Sequence, residues 1–295
     1  MRTSGRLAQL VRAPPTNYGR IAQWLERRTD IAKVSRSSRD TPTKIGGGGR
    51  RFESCIVHME FVILYEDKNL LVIDKPPGIV VFPENKTKES TLIDLLLKKF
   101  VFLKNVGRIP RYGIVHRLDK DTSGILLVAK NNKTLKFLQK QFKERKIIKK
   151  YIALVIGDIK ETKGWIKTLI GRSKKNWKKQ KVYLSFEPDS KGKREAETYY
   201  KVLKKFKNYS LLEISPITGR KHQIRVHLSY ISHPITGDKI YSFKNQKDPK
   251  GLKRQFLHAS YLKIKLPDGK VKELRSKLPD DLKDILKKIK VQNEN

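Results

Sequence analysis

The sequence GIVHRLDKDTSGILLVA, residues 113–129, joins a polar segment to an apolar run, and the fold is predicted outward from it. Residues 125–129 have the length and continuous apolar character of a buried strand, with Gly124 before them and polar residues after. The polar segment is therefore predicted to be a loop at a sheet edge or in a cleft, where reactive side chains are commonly placed. An ordinary polar turn uses the same residue types, so chemistry alone leaves both interpretations open. The candidate reactive groups are Arg117, Asp119, Thr122 and Ser123.

Composition restricts the class of protein. The 295 residues suffice for one large domain or two ordinary ones, and 38% hydrophobic content is enough for a core. No apolar run approaches the roughly 20 residues that cross a bilayer, so no membrane association is predicted. With 67 basic and 29 acidic residues, the net charge of +38 predicts a polyanionic partner. The single cysteine excludes an intramolecular disulfide and favours a reducing, cytoplasmic location.

Residues 1–58 differ from the rest of the chain. They are rich in Arg, contain runs of Pro, Ser and Gly, and lack the apolar periodicity of a packed helix or strand. One interpretation is a disordered, basic RNA-binding arm. The other comes from back-translation, because Arg51–Ser54 and Ile21–Arg27 fit codons that spell T-arm and D-arm sequences of transfer RNA genes. We therefore predict that 1–58 is an unstructured leader read from such genes, and that the protein begins at Met59.

The charge argument does not depend on that leader. Residues 1–58 hold 12 of the basic and 4 of the acidic residues, which leaves a net charge of +30 for residues 59–295. From Met59 the chain shows regular patterns of strands and helices. Strands are predicted over 61–65, 70–74, 79–82, 125–129 and 151–157, and helices over 92–100, 132–145 and 282–289, the first capped by Ser90 or Thr91. The pattern of 195–206 fits a strand or a short helix.

Two further polar segments are candidates for binding. Residues 172–181 form a basic stripe around Trp177, which suits phosphate neutralisation and base stacking but is also typical of a solvated face. Its members that we predict to contact RNA are Lys174, Lys175, Trp177, Lys178 and Lys179. The second segment, GRKHQIR at 219–225, is predicted to open a helix after Gly219 whose basic N-terminus attracts anions. Histidines 222, 227 and 233 lack accompanying cysteines or paired carboxylates, so no metal is predicted.

Three blocks resemble the RluA-type RNA pseudouridine synthases: LLVIDKPPG at 70–78, HRLDKDTSG at 116–124 and GRKHQIR at 219–225. The resemblance spans about residues 59–286 and implies an α+β catalytic domain over 59–295, with a mixed, mostly antiparallel sheet, flanking helices and a central cleft. It implies that Asp119 is catalytic, that Arg225 pairs with it, and that Tyr151 is an active-site residue at the head of its strand. It also implies that Arg117 fills the space left by a flipped uridine. Many relatives carry an S4-type RNA-binding domain before the core, and residues 1–58 show no resemblance to one.

The reaction that the resemblance implies can be checked against these residue types. Forming pseudouridine detaches uracil from ribose, turns it and rejoins it through a ring carbon. A carboxylate suits the nucleophilic step, as in retaining glycosidases, and Arg225 would favour its ionised form. Tyr151 can assist the proton transfer. No redox change or net hydrolysis occurs, so no cofactor is predicted, and attack by Asp119 on the sugar or on the base both remain open.

The predicted partner is RNA, with ribosomal RNA of the large subunit first and transfer RNA second. Contacts with it are predicted for His116, Arg117, Arg220 and His222, besides the basic stripe. We predict a monomer without an obligate protein partner. The rival hypothesis is a non-catalytic RNA-binding or ribosome-assembly protein, which the charge fits equally well. Asp119 argues against it, because binding RNA does not require a carboxylate in the groove.

Overall fold

The computed structural model describes residues 61–83 and 89–294; the predicted leader, 1–58, lies outside the described residues. The strands are β1 Val62–Glu66, β2 Leu70–Lys75, β3 Ser123–Ala129, β4 Ile148–Ile156, β5 Lys163–Arg172, β6 Gln180–Tyr183, β7 Arg194–Phe206, β8 Tyr209–Pro216, β9 Leu257–Lys265 and β10 Val271–Arg275. The helices are α1 Leu92–Lys99, α2 Asn132–Lys143, α3 Gln223–Tyr230 and α4 Asp280–Glu294. Short 3-10 helices cover Val101–Asn105 and Pro188–Ser190.

All ten strands form one sheet, in the order β1-β2-β3-β9-β4-β8-β7-β5-β6, with β10 paired to β9. Every pairing is antiparallel except the short parallel contact of β3 with β9, where Ser123 opposes His258 and Gly124 opposes Ala259. Gly124 has φ +115°, and a Cβ there would overlap the backbone of Ala259. Only glycine therefore allows the start of β3 to lie this close to β9.

The core explains why these segments form these elements. All seven residues of β3 are buried, which confirms the strand predicted from its apolar run. A larger cluster joins β4 and β8 to α3 and α4, and α4 contributes Leu282, Ile285 and Ile289 from one face. The closing amphipathic helix is thereby confirmed. The mixed, mostly antiparallel sheet with few helices confirms the predicted α+β class.

Several predicted boundaries were wrong. Ile79, Val81 and Phe82 are buried, but residues 79–82 are not a strand; the carbonyls of Val80 and Val81 instead accept from the first backbone N–H groups of α1. The strand that carries Tyr151 begins three residues earlier, at Ile148, and α3 begins at Gln223 rather than directly after Gly219. Residues 194–206 are a strand. In the described part of the chain, no helix is long and apolar enough to cross a membrane.

Candidate active site

The loop that carries Asp119 lies along β3. The backbone N–H of Ala129 donates to the carbonyl of Gly113 (2.8 Å), and that of Val115 donates to the carbonyl of Leu127 (3.2 Å). These bonds hold the first part of the loop against the edge of β3 that β9 leaves open. The loop is thereby anchored on the most buried strand of the sheet.

His116 helps to fix this loop rather than projecting from it. Its Nε2 accepts from the backbone N–H of Leu127 (3.1 Å), and its ring stacks on Phe142 with centroids 4.8 Å apart. Burial, followed by the charge of Lys149, lowers the pKa of His116 to about 3, so the imidazole is neutral. The geometry accounts for His116 as an anchor of the loop, and the predicted RNA contact gains no support from it.

A buried lysine holds the far side of the loop. Lys75, at the end of β2, donates from Nζ to the carbonyls of Pro76 (2.7 Å) and Lys120 (2.9 Å). The backbone N–H of Gly78 donates to the same Lys120 carbonyl (2.9 Å). Burial lowers the pKa of Lys75 to about 7, against the opposing charge of Asp121. The block LLVIDKPPG, which the sequence shows only as a strand and a turn, therefore positions the Asp119 loop.

The segment before β9 supports the end of the loop. Arg254 donates from Nη1 to the carbonyl of Asp121 (3.0 Å) and forms an ion pair with Asp281 of α4 through Nε (2.7 Å). Gln255 donates from Nε2 to the hydroxyl of Thr122 (2.7 Å). The two hydroxyls of the motif are thus structural, since Ser123 Oγ also lies 3.0 Å from Nδ1 of His258. The side chain of Asp119 takes part in none of these contacts and is 18% exposed.

Asp119 shares a buried arginine with a second carboxylate. Arg225, in α3, donates from Nη1 to Asp119 Oδ2 (2.9 Å), as the resemblance implied. Its Nε and Nη2 donate to the two oxygens of Asp238 (2.7 and 2.9 Å), whose side chain is fully buried. Asp238 Oδ1 also accepts from the backbone N–H groups of Ile240 and Tyr241 (2.9 and 3.0 Å). The guanidinium is therefore fixed in one orientation by Asp238 and presents its remaining edge to Asp119.

Asp119, Arg225 and Asp238 form a triad of charged side chains, and the pKa values of Arg225 and Asp238 follow from its geometry. Burial alone would lower the pKa of Arg225, but the hydrogen bonds and charge of Asp238, followed by those of Asp119, raise it above its ordinary value. Burial alone would raise the pKa of Asp238, yet Arg225 and the two backbone donors hold it below its ordinary value. The arginine thus stays charged beside Asp119 throughout the physiological range.

Tyr151 lies on β4 beside the triad. Burial and then the negative charge of Asp119 raise the pKa of its phenol well above the ordinary value. At neutral pH it is therefore a hydroxyl rather than a phenolate. A neutral phenol can donate one hydrogen bond and accept another, which suits a relay of a proton. Arg117, on the other side of Asp119, stacks its guanidinium 5.3 Å from the ring of Phe82, and burial lowers its pKa against the opposing effect of Asp119.

Arg220 belongs to a cluster of cations with Arg145 and Arg194. It donates from Nε to the carbonyl of Glu195 (2.8 Å), and Arg145 lies 3.7 Å from the carboxylate of the same residue. Burial, followed by the charges of Arg194 and Arg145, lowers the pKa of Arg220. Burial is the largest cause that lowers the pKa of Lys221, and the nearby charges of Arg117 and Arg172 lower it further. Like charges gathered in this way favour an anion as their partner.

The basic stripe forms the hairpin that joins β5 to β6. Trp177 is at its tip and is 63% exposed, and Lys178 lies 5.6 Å from the centre of the indole ring. Lys174 is paired with Asp189. Lys175 is exposed and Lys179 is part-exposed. The hairpin therefore offers cations and an aromatic face together.

His222 occupies the residue before α3, and its Nδ1 lies 2.9 Å from the hydroxyl of Tyr241. The other two histidines considered as ligands have structural contacts, because His227 lies between Thr198 and Thr168 (2.9 and 3.0 Å) and His233 Nδ1 lies 2.8 Å from the carbonyl of Ile156. Within the described ranges, no three His, Cys, Asp or Glu side chains are grouped to hold a metal ion.

Comparison with known proteins identifies the family. The model of the RNA pseudouridylate synthase family matches residues 69–230, which contain Asp119, Tyr151 and Arg225. The chain belongs to this family. Its relatives place it with the RluA type, which confirms the resemblance seen in the three sequence blocks. This pseudouridine synthase is therefore an isomerase acting on RNA.

Individual relatives are similar over most of this enzyme. It is 36% identical to ribosomal large subunit pseudouridine synthase D of Nitrosomonas europaea over 98% of this chain and 85% of that protein. It is 40% identical to the protein of the same name from Borreliella burgdorferi over 75% of this chain and 66% of that protein. Human RNA pseudouridylate synthase domain containing 4 has a similar structure, with a TM-score of 0.63 and 30% identity over 77% of this chain and 92% of that chain. The first alignment runs into residues 1–58, and the leader hypothesis stays a prediction.

Sequence reasoning missed Asp238 and Tyr241, which hold Arg225 and His222. A signal for Asp238 was present in the turn of Gly237 and Asp238, and in the five donors of Arg225, which one carboxylate cannot satisfy. No pattern in the sequence indicated Tyr241.

Proposed function

We propose that this enzyme converts uridine to pseudouridine in ribosomal RNA of the large subunit, with Asp119 as the nucleophile. The observation that carries the proposal is the part-exposed Asp119 carboxylate bound to the fixed guanidinium of Arg225, with the cations Arg117 and Lys221 close by. The names of the Nitrosomonas and Borreliella relatives support the choice of RNA. A non-catalytic RNA-binding protein would gain nothing from a carboxylate in this position, because it repels phosphate.

We propose a role for Asp119, Arg225 and Tyr151 in turn. Asp119 forms a covalent bond to the nucleotide, the glycosidic bond to N1 of uracil is broken and C5 becomes bonded to the ribose, and the bond to Asp119 is broken again before the product leaves. Arg225 holds the carboxylate in place through the hydrogen bond from Nη1. The reaction then removes one proton from C5 and adds one to N1, so atoms and charge balance without a co-reactant. Tyr151, as a neutral hydroxyl, is placed to assist this proton transfer.

In this proposal, three groups of residues contact the RNA: Arg117, the arginine cluster around Arg220, and the β5–β6 hairpin. Arg117 is next to Asp119 and has the reach to replace a uridine that leaves its stack, which costs a few kcal/mol. Arg220 and its neighbours Arg145 and Arg194 suit phosphates close to the cleft. The hairpin residues Lys174, Lys175, Trp177, Lys178 and Lys179 would contact RNA farther along the strand, with Trp177 stacking on an unpaired base.

Mapping pseudouridine in total RNA tests the substrate. RNA from cells with and without this gene is compared at single-nucleotide resolution, and we expect one or a few positions of large-subunit ribosomal RNA to lose pseudouridine. Loss confined to transfer RNA would overturn the proposed substrate but keep the chemistry. Such a ribosomal substrate also leads us to propose a cytoplasmic enzyme that acts as a monomer, which size-exclusion chromatography with light scattering would check.

A further inference from the structure

Tyr241 links three parts of the site through one buried side chain. Its hydroxyl oxygen accepts from the backbone N–H of Gln180 (2.8 Å), the first residue of β6, and lies 2.9 Å from Nδ1 of His222. Its ring lies 5.2 Å from the guanidinium carbon of Arg225. Tyr241 is 8% exposed, so these contacts are made out of reach of bulk solvent. None of the roles assigned above to the reaction uses this residue.

The hydroxyl has one proton to donate, and its contacts decide where that proton goes. Gln180 N–H is itself a donor, so it occupies a lone pair of the phenol oxygen. His222 Nδ1 is the acceptor among the described contacts of the hydroxyl. Burial raises the pKa of Tyr241 to about 12 and lowers the pKa of His222 to about 4, so both groups are neutral. A neutral imidazole that accepts at Nδ1 has its proton on Nε2.

The opposite arrangement is unfavourable. If His222 donated from Nδ1, the phenol oxygen would accept two N–H groups and its own proton would lose the acceptor that the fold provides. A buried donor without a partner is costly. The Nε2–H tautomer satisfies every described partner of the Tyr241 hydroxyl, and it leaves Nε2–H on the side of the ring away from Tyr241.

His222 is held near the Arg225–Asp119 ion pair, because it contacts Tyr241, whose ring lies over the Arg225 guanidinium. It lies directly before α3 with φ +56°, and it is near enough to Asp119 for the carboxylate to act on its pKa. We propose that Tyr241 is a positioning residue that fixes His222 as the Nε2–H tautomer, and that this N–H donates to an oxygen of the RNA nucleotide bound beside Asp119. This inference rests on the proposed function for the identity of the ligand, but the tautomer can be measured without it.

Nitrogen NMR of the full-length protein, labelled with 15N-histidine and free of RNA, measures the tautomer directly. The signals of His222 are assigned from their loss in His222→Gln. We expect protonated Nε2 and hydrogen-bonded Nδ1, and in Tyr241→Phe we expect Nδ1 to move to the shift of a nitrogen without a donor. Tyr183→Phe is the matched control, because it removes a buried hydroxyl of β6, the strand that Tyr241 contacts at Gln180. That hydroxyl donates to the carbonyl of Arg172, and its loss should leave His222 unchanged. The proposal is overturned if Nδ1 of His222 is protonated in the unaltered protein. It is also overturned if the Nδ1 chemical shift in Tyr241→Phe equals that in the unaltered protein.

Kinetics test the donated hydrogen bond. Glutamine places an amide N–H near the position of Nε2, whereas asparagine places it near Nδ1. We therefore expect His222→Asn to lower kcat/KM roughly 10-fold, as for one lost hydrogen bond, and His222→Gln to stay closer to the unaltered enzyme. Asparagine tolerates the positive φ of residue 222 better than most residues do. Backbone strain at this residue should therefore lower the activity of His222→Asn less than that of His222→Gln. Equal losses in the two variants overturn the donor role.

A double variant separates positioning from general stability. Tyr241→Phe alone should also lower kcat/KM roughly 10-fold. Added to His222→Gln it should lower kcat/KM little further, because Tyr241 acts through the imidazole that has been removed. Fully independent losses contradict the proposal. If the unaltered enzyme forms no pseudouridine in ribosomal RNA, the proposed function fails, whereas the NMR result still decides the tautomer.

Discussion

Asp119 and Asp238 bind the same guanidinium, but Asp119 is part-exposed and Asp238 is fully buried, so we expect the two carboxylates to have separable functions. Asp119→Asn is expected to abolish pseudouridine formation, because the amide keeps the shape and can still accept from Arg225 but is not a nucleophile. RNA affinity should be nearly unchanged, since removing a negative charge does not weaken attraction to phosphate. Single-turnover assays and filter binding measure the two effects.

Asp121→Asn is the control for this prediction, because it removes the same charge two residues farther along the same loop. It should retain activity. Turnover near that of the unaltered enzyme in Asp119→Asn would remove Asp119 as the nucleophile. Lost RNA binding in that variant would instead favour the non-catalytic RNA-binding hypothesis.

Lys75 makes stability depend on pH in a predictable direction. Its pKa is about 7 in the folded protein and 10.5 for an unperturbed lysine, so between these values the unfolded chain binds more protons. Stability supplied by this residue therefore rises with pH from 7 to about 10.5, by up to ~1.4 kcal/mol per pH unit. Lys75→Met lacks this effect. Urea unfolding at pH 7 to 10 should show the unaltered protein gaining stability relative to Lys75→Met, and parallel curves would contradict the burial of the charge.

At the scale of single residues, the sequence predicted the Asp119–Arg225 pair better than the residues that hold this pair and its loop in place. Asp119 and Arg225 were expected as a pair from the family motifs, and they lie 2.9 Å apart. Asp238 was not expected, because it comes from a loop whose path depends on the packed structure. Lys75 was seen as part of a turn, since a buried lysine is rare and no local pattern distinguishes it from an exposed one.

The β5–β6 hairpin is the element whose role is most open to test. Lys174 is already paired with Asp189, so removing Lys174, Lys175, Lys178 and Lys179 should delete three uncompensated charges. If the hairpin follows the phosphate backbone, the slope of log affinity against log salt should fall by about 2 to 3, at 0.7–0.9 per phosphate. The effect should appear with any RNA, because phosphate contacts carry little sequence information.

Asp189→Asn is the matched control, because it adds to the free positive charge of the hairpin where the four-lysine variant removes it. It frees Lys174 and should raise the salt slope or leave it unchanged. An unchanged slope in the four-lysine variant, together with a reduced slope in Arg145→Gln with Arg194→Gln and Arg220→Gln, would move the RNA path from the hairpin to the arginine cluster around Glu195.

Elements were predictable where burial and pairing coincide. The apolar run of β3 is a strand because both its faces are buried and both its edges are bonded. Residues 79–82 are as apolar, and Ile79, Val81 and Phe82 are buried, but their backbone faces the start of α1. An apolar run therefore predicts burial more safely than it predicts a strand, since the partner of the backbone is set by elements far along the chain.

At the scale of the molecule, the site is assembled by contacts between distant segments. The parallel pairing of Ser123 with His258 brings the Asp119 loop beside the segment of Arg254 and Gln255, and the ion pair of Arg254 with Asp281 adds the last helix. Such pairings depend on the tertiary structure, so local patterns did not reveal them. They join the Asp119 loop to segments more than 130 residues farther along the chain.

The last prediction concerns residues 1–58. A protein that starts at Met59 should fold and keep full activity, because 1–58 contain no apolar face able to pack on a core, while β1 begins only at Val62. Its melting temperature should stay within about 2 °C, the shift that less than ~1 kcal/mol produces in a domain of this size. A protein that starts at Asn69 is the control; it lacks β1, which pairs with β2 from Val62 to Glu66, and should melt well below the first. Mass spectrometry of the protein from its own host should find no peptide before Met59. A large fall in melting temperature on removing 1–58, or peptides from that segment, would show that it is a translated part of the protein.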